Sequence, residues 1–191
     1  MIEQLTLYTA KIRPYSQRAE LALEEPRLSF TRFEVDLQNK PEWYASKVNP
    51  ASKVPAIAYG GPKTAPDQPL LESQKITESL ILLEFVADIS AKLLPKDPVQ
   101  RARVRFFIDA VSISVAPLLH SIAVLGETPK NLYKGLETLQ SLFNNRYRRY
   151  LADLKARDSF KKTFDDNYIL EQYSAAFSPL RAQKKASKGS F

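Results

Sequence analysis

Cysteine is absent from all 191 residues. That excludes disulfides, zinc–thiolate sites and a cysteine nucleophile. A thiol-free chain fits a reducing compartment, and a cytoplasmic location is the expectation. Histidine occurs once, at His120, within an apolar run, where a core or groove-lining role outweighs that of a general base. No metal-ligand cluster, phosphate-binding loop or Ser-His-Asp set is present in the sequence, so no metal is expected. The opening MIEQLTLYTA lacks the basic start and apolar stretch of a secretion signal. The uncharged run through 111–126 falls short of the ~20 residues that a membrane helix needs, and it contains Pro117 and His120. It reads as a buried helix, and no membrane partner is expected.

What is present is ordinary for a globular chain: 44% hydrophobic and 26% charged residues. The net charge of +7 is unevenly spread, because residues 144–191 carry 11 Lys/Arg against 5 Asp/Glu. The basic character therefore belongs to the end of the chain. Arg146, Arg148 and Arg149 interleave with Tyr147 and Tyr150, a superficial match to backbone phosphates and base stacking. Helical spacing puts those arginines on more than one face. A solvated basic face is the better reading, a nucleic-acid or membrane-surface binder using this basic end is the weaker alternative, and no nucleic-acid partner is expected.

Residues 4–9 alternate and are β-rich, residues 14–25 read as a helix opened by Pro14, and 29–35 alternate again. Strand, helix, strand implies a parallel pair. A short helix at 41–47 carries Trp43, and 54–59 is an apolar strand headed by Pro55. Two glycines and three prolines in 60–69 mark a loop. Leu70 and Leu71 are a candidate short edge strand. Residues 77–89 form a strong helical pattern. The segment 93–98 is the best linker, and beyond it 99–119, 132–143, 147–155 and 160–173 all read helical. The expected domains are 1–90 (α/β), 98–180 (all-helical) and 181–191 (a basic mobile tail).

Three groups of residues carry the chemistry: RPYSQR at 13–18, NPASKVPAI at 49–57 and TESLILLEF at 77–85. Proline cannot donate to a ladder, so Pro55 suits a strand start. Glu78-Ser79 opens a helix, where free N–H groups and the dipole favour a carboxylate, although a plain acidic cap has the same look. An earlier pair, Glu72-Ser73, reads as loop. Lys53 is either a carboxylate partner or a solvated lysine.

In this order and spacing the groups resemble the cytosolic glutathione transferases, most closely their omega-like group in fungi. KPEWYASKVNPASKVPAI carries most of the likeness, and LLPKDPVQRARVRFFIDAV extends it across the linker. The resemblance implies a thioredoxin-like N-terminal domain, a mixed four-stranded sheet with helices, followed by an all-α C-terminal domain. It implies glutathione as co-substrate and a cis bond before Pro55, with the main chain of Val54 left to pair with an extended peptide ligand. Lys53 would meet a ligand carboxylate, and Glu78 with Ser79 would hold the γ-glutamyl end. A hydrophobic electrophile would face Phe106, Phe107, Ala110 and Ser114 from the helical domain, and the protein would be a homodimer.

Two departures stand out. The family's cysteine before the Pro-aromatic pair is Arg13 here, so cysteine-based thiol transfer is excluded and conjugation is the expected reaction. A cation ~4 Å from the glutathione sulfur is worth up to ~4 kcal/mol at an effective dielectric of ~20, so Arg13 is a candidate thiolate stabiliser, unless it swings into solvent. Tyr15 and Ser16 are candidate hydroxyl donors, with packing and a direction along the helix as their alternatives. Second, Leu142-Phe143 runs directly into NNRYRRYLADLK. One to two core helices of the helical domain are expected to be missing. A glutathione or aromatic-ligand binder without catalysis is the competing function.

Overall fold

The computed structural model describes residues 4–118 and 156–165, with isolated positions 153, 167, 168, 171, 175 and 178. The expected helices at 132–143 and 147–155, His120, the suspected gap after Phe143 and the basic tail fall wholly or almost wholly outside the described residues. The chain divides into two compact units, 1–94 with 158–164, and 95–157 with 165–191.

In the first unit, β1 (Leu5–Thr9) is buried along its whole length. It pairs in parallel with β2 (Thr31–Glu34), from Thr6↔Thr31 to Thr9↔Glu34. On its other side it runs antiparallel to β3 (Ala56–Tyr59), from Leu5↔Tyr59 to Tyr8↔Ala56. The outer strand β4 (Gln74–Thr77) is antiparallel to β3, so the sheet order is β2-β1-β3-β4. The connection from β1 to β2 is α1 (Pro14–Glu24), with Pro14 at its first position where a missing N–H costs nothing.

Alternation along the strands divides the core in two. Leu5, Leu7 and Ile57 meet Ala19, Ala22 and Leu23 of α1 and Leu82 and Val86 of α3 (Ser79–Ser90). Tyr8, Ala56 and Ala58 point the other way, against Tyr44 of α2 (Glu42–Lys47), Val35 and Val48. There the small alanines leave room for rings. Tyr8 lies 5.7 Å from Phe33, 6.1 Å from Trp43 and 5.8 Å from Tyr44, centroid to centroid. Each such pair adds ~0.5–1.5 kcal/mol beyond area burial. The expected thioredoxin-like sheet with helices is therefore present.

One expected strand is replaced. Leu70 and Leu71 lie outside any strand, and Leu71 is exposed. The fourth strand is Gln74–Thr77 instead, and α3 starts two residues later than the pattern suggested. An edge strand of sequence QKIT shows a single apolar residue, Ile76, which gives no legible alternation.

A late segment, α5 (Asp158–Thr163), belongs to this same unit although it reads as one of the C-terminal helices. Ser159 donates to the Glu25 carboxylate and Lys162 pairs with Glu24 at 3.1 Å, holding it on the end of α1.

In the second unit, α4 (Pro98–Ser114) starts from Asp97, whose carboxylate accepts from the Gln100 N–H at 2.8 Å. No helix among the described residues is long and apolar enough to cross a membrane.

Candidate functional site

Strand register decides which motifs meet. Ala56 pairs with Tyr8 on one side and with Thr77 on the other. The chain entering β3 (Val54, Pro55), the chain leaving β4 (Glu78, Ser79) and the loop leaving β1 (10–13) therefore lie at one end of the sheet.

The Val54–Pro55 bond is cis. The ladder begins at Ala56, so the main chain of Val54 stays outside it. The approach to Val54 is braced by groups that the motif reading passed over. Tyr44 Oη and Asn49 Nδ2 both donate to the Lys53 carbonyl, each at 2.8 Å. Asn49 Oδ1 also accepts from the Ala51 N–H at 3.1 Å. Ser52 takes a left-handed φ of 53°, and Lys40 Nζ donates to its carbonyl at 2.7 Å. Lys40 thus lies beside the segment carrying Lys53, whose side chain is exposed. The Asn-Pro pair at 49–50, a turn signal, was the available hint of Asn49's role. Burial pushes the Tyr44 phenol far above its ordinary range, with Tyr8 adding to it. Tyr8 itself is raised to about 12, chiefly by burial, with Asp67 contributing.

Glu78 has φ 68° and ψ 116°, left-handed territory for a residue with a Cβ. Holding it costs ~1–3 kcal/mol, and such outliers concentrate where a ligand is held. Its side chain is exposed, whereas Ser79, at the first position of α3, is buried. The Arg18 guanidinium donates to Ser79 Oγ at 3.3 Å. It also lies 5.5 Å from the centroid of the Tyr15 ring. Burial lowers the pKa of Arg18. The motif reading gave Arg18 no role, because Ser79 is 61 positions away in the chain.

Arg13 caps α1 in extended conformation without a side-chain capping bond, and its side chain is exposed. Tyr15 is 43% exposed. Ser16 differs: it is fully buried, and its Oγ accepts from the Ala10 N–H at 3.3 Å, tying the β1–α1 loop to the helix. Beneath that loop the buried Glu20 carboxylate accepts from Thr9 and pairs with Arg32 at 3.2 Å. Burial raises its pKa, while Thr9 and Arg32 partly offset this.

The four expected hydrophobic contacts lie on α4 in the second unit. Phe106 is exposed, while Phe107, Ala110 and Ser114 are half-buried. No cluster able to hold a metal occurs among the described residues.

The family model for the glutathione S-transferase N-terminal domain matches residues 7–89. Glutathione transferase Omega 1C from Trametes versicolor is 41% identical with a TM-score of 0.86, over 93% of this chain and 98% of that one. Glutathione transferase Omega 2S from the same organism, in complex with 2,4-dihydroxybenzophenone, is 35% identical with a TM-score of 0.81, over 95% and 100%. Glutathione S-transferase omega-2 of Rattus norvegicus is 30% identical over 107 residues, which is 55% of this chain but only 38% of the relative's length.

Proposed function

This chain belongs to the glutathione transferase family, within its omega-like group, and from that premise we propose that it binds glutathione at the sheet end described above and conjugates the thiolate to a hydrophobic electrophile. The carrying observation is the register that sets Val54 and Ser79 on neighbouring chain segments through the Ala56–Thr77 pair. The main chain of Val54, preceded by a braced carbonyl and outside the ladder, pairs with the extended tripeptide. Ser79 and the N-terminus of α3 receive its α-carboxylate, and Glu78 receives its ammonium. Lys40 and Lys53 supply positive charge for the carboxylate at the other end. With no cysteine in the chain, activation of glutathione is electrostatic. A cation lowers the pKa of a thiol from about 8.5, and Arg13, at the end of the β1–α1 loop, is the cation assigned to that role. Ser16 is fully buried and its Oγ accepts from the Ala10 N–H, so its assigned part is to brace the loop. In the second unit, the residues assigned to a hydrophobic substrate are Phe106, Phe107, Ala110 and Ser114 of α4. The same reading makes the protein a cytoplasmic homodimer.

A second reading, an aromatic-ligand binder without catalysis, is favoured by the exposure of Arg13 and by the dihydroxybenzophenone complex of the Trametes relative. Ultraviolet absorbance of the bound thiolate against pH separates the two. Arg13→Ala is expected to raise the thiol pKa of bound glutathione and to slow conjugation with a generic electrophile. Superimposable titration curves for the two proteins would make Arg13 a bystander and favour the binder.

A further inference from the structure

The loop that delivers Arg13 is a β-turn over residues 10–13, closed by the Arg13 N–H donating to the Ala10 carbonyl at 3.0 Å. Such a turn makes no use of the N–H of its second residue, here Lys11. The Glu34 carboxylate takes it, with Oε1 accepting at 2.7 Å. A carboxylate on a main-chain N–H is among the stronger kinds of hydrogen bond. Ser16 holds the entry to the turn at Ala10, whereas Glu34 holds its centre.

Glu34 is exposed, yet its other oxygen is also engaged. Oε2 meets Arg32 Nη2 at 2.9 Å, and the same nitrogen reaches Glu20 Oε1 at 3.2 Å. Glu20 is buried on α1 and accepts from Thr9 as well. Strand register explains the gathering. Thr9 lies opposite Glu34 and Leu7 opposite Arg32, on the face of the sheet that Leu7 turns to α1. The turn is thereby hooked to a chain of groups that ends in the core. The Arg13 side chain is exposed and makes no capping bond, so the placing of its main chain sets where the guanidinium can reach. Its pull on a thiolate falls with distance.

We infer that Glu34 is a positioning residue for the conjugation proposed above: by clasping the Lys11 N–H it holds the turn that brings Arg13 to the glutathione sulfur. The inference rests on the thiolate role given there to Arg13. Charge and clasp act with opposite signs, which makes the role separable. As a bare negative charge Glu34 would raise the pKa of a nearby thiol, so its removal would lower that pKa. As a clasp it keeps Arg13 within reach, so its removal raises it.

The test is the ultraviolet absorbance of bound thiolate against pH in the full chain. Glu34→Ala is expected to raise the thiol pKa by about half or more of the rise that Arg13→Ala gives. Glu34→Gln, whose amide oxygen still accepts from Lys11, is expected to titrate at or below the wild type. Glu34→Ala combined with Arg13→Ala is expected to bring no rise beyond that of Arg13→Ala alone. Glu34→Thr, a strand-forming residue too short to span to Lys11, stands in if Glu34→Ala does not give a native circular-dichroism spectrum. A pKa that falls or stays in Glu34→Ala, an equal rise in Glu34→Gln, or a further rise in the double variant would overturn the role. Arg13→Ala with an unchanged titration would instead remove the thiolate role of Arg13, and that of Glu34 with it.

Discussion

The Lys53 carbonyl accepts from two side chains that reach it from different places, Tyr44 on α2 and Asn49 in the following turn. A carbonyl oxygen has two lone pairs, so both bonds form without competing. Each contributes about 1 kcal/mol net. Tyr44→Phe removes one and leaves the carbonyl satisfied by Asn49, so a loss of about 1 kcal/mol is expected. Asn49→Ala removes its donation and its acceptance from Ala51, about 2 kcal/mol, with the exposed Ala51 N–H turning to water. The double substitution leaves the carbonyl without a protein partner. An orphaned acceptor costs more than a lost bond, so the double should exceed the sum by about 1 kcal/mol. For a chain of this size each kcal/mol moves the Tm by about 2–4 °C. Urea denaturation of the four proteins closes the cycle, and glutathione affinity in the same set reports whether slack before Val54 reaches the ligand. Strictly additive losses would show that water replaces both donors, and that the brace is not a shared one.

Glu20→Gln tests the buried carboxylate beneath the β1–α1 loop. Burial raises its folded-state pKa above the ordinary 4.5, so the folded chain takes up this proton before the unfolded chain does. Its contribution is then fully present below pH 4.5 and is lost as pH rises through the folded value. Denaturation midpoints of Glu20→Gln against pH should lack that decline, and parallel profiles for the two proteins would refute it. Ser16→Ala should lower stability by about 1–2 kcal/mol, by leaving the Ala10 N–H unpaired, without altering the absorbance of bound thiolate. A changed thiolate spectrum would return Ser16 to the chemistry. Leu82→Ala, in the layer between α1, α3 and the sheet, should cost about 2–5 kcal/mol; a thermal shift under 2 °C would mean that the core closes around the gap.

Much of the first unit was legible along the chain because its signals are local. Alternation marked β1 and β2 within 4–9 and 29–35, Pro14 marked the start of α1, and the helical pattern over 77–89 marked α3, although its expected face of Leu80, Leu83 and Ala87 shares only Ala87 with the residues that are buried, Ser79, Leu82, Val86 and Ala87. The absence of any thiol settled by itself that cysteine chemistry is closed to this chain. The edge strand Gln74–Thr77 was illegible because hydrogen bonding to β3, not apolar alternation, makes it a strand. Tertiary structure alone decided how the motif residues divide between chemistry and support. Ser16 and Arg18 occur two positions apart in one helix, yet one turns inward to Ala10 and the other across to Ser79. Nothing in their spacing encodes which, because the partners come from a loop and a second helix that folding brings alongside. Lys40, Tyr44 and Asn49 gather on residues 52–53 for the same reason. Hydrogen-bond donors find acceptors by proximity in space, and a sequence shows proximity only along the chain.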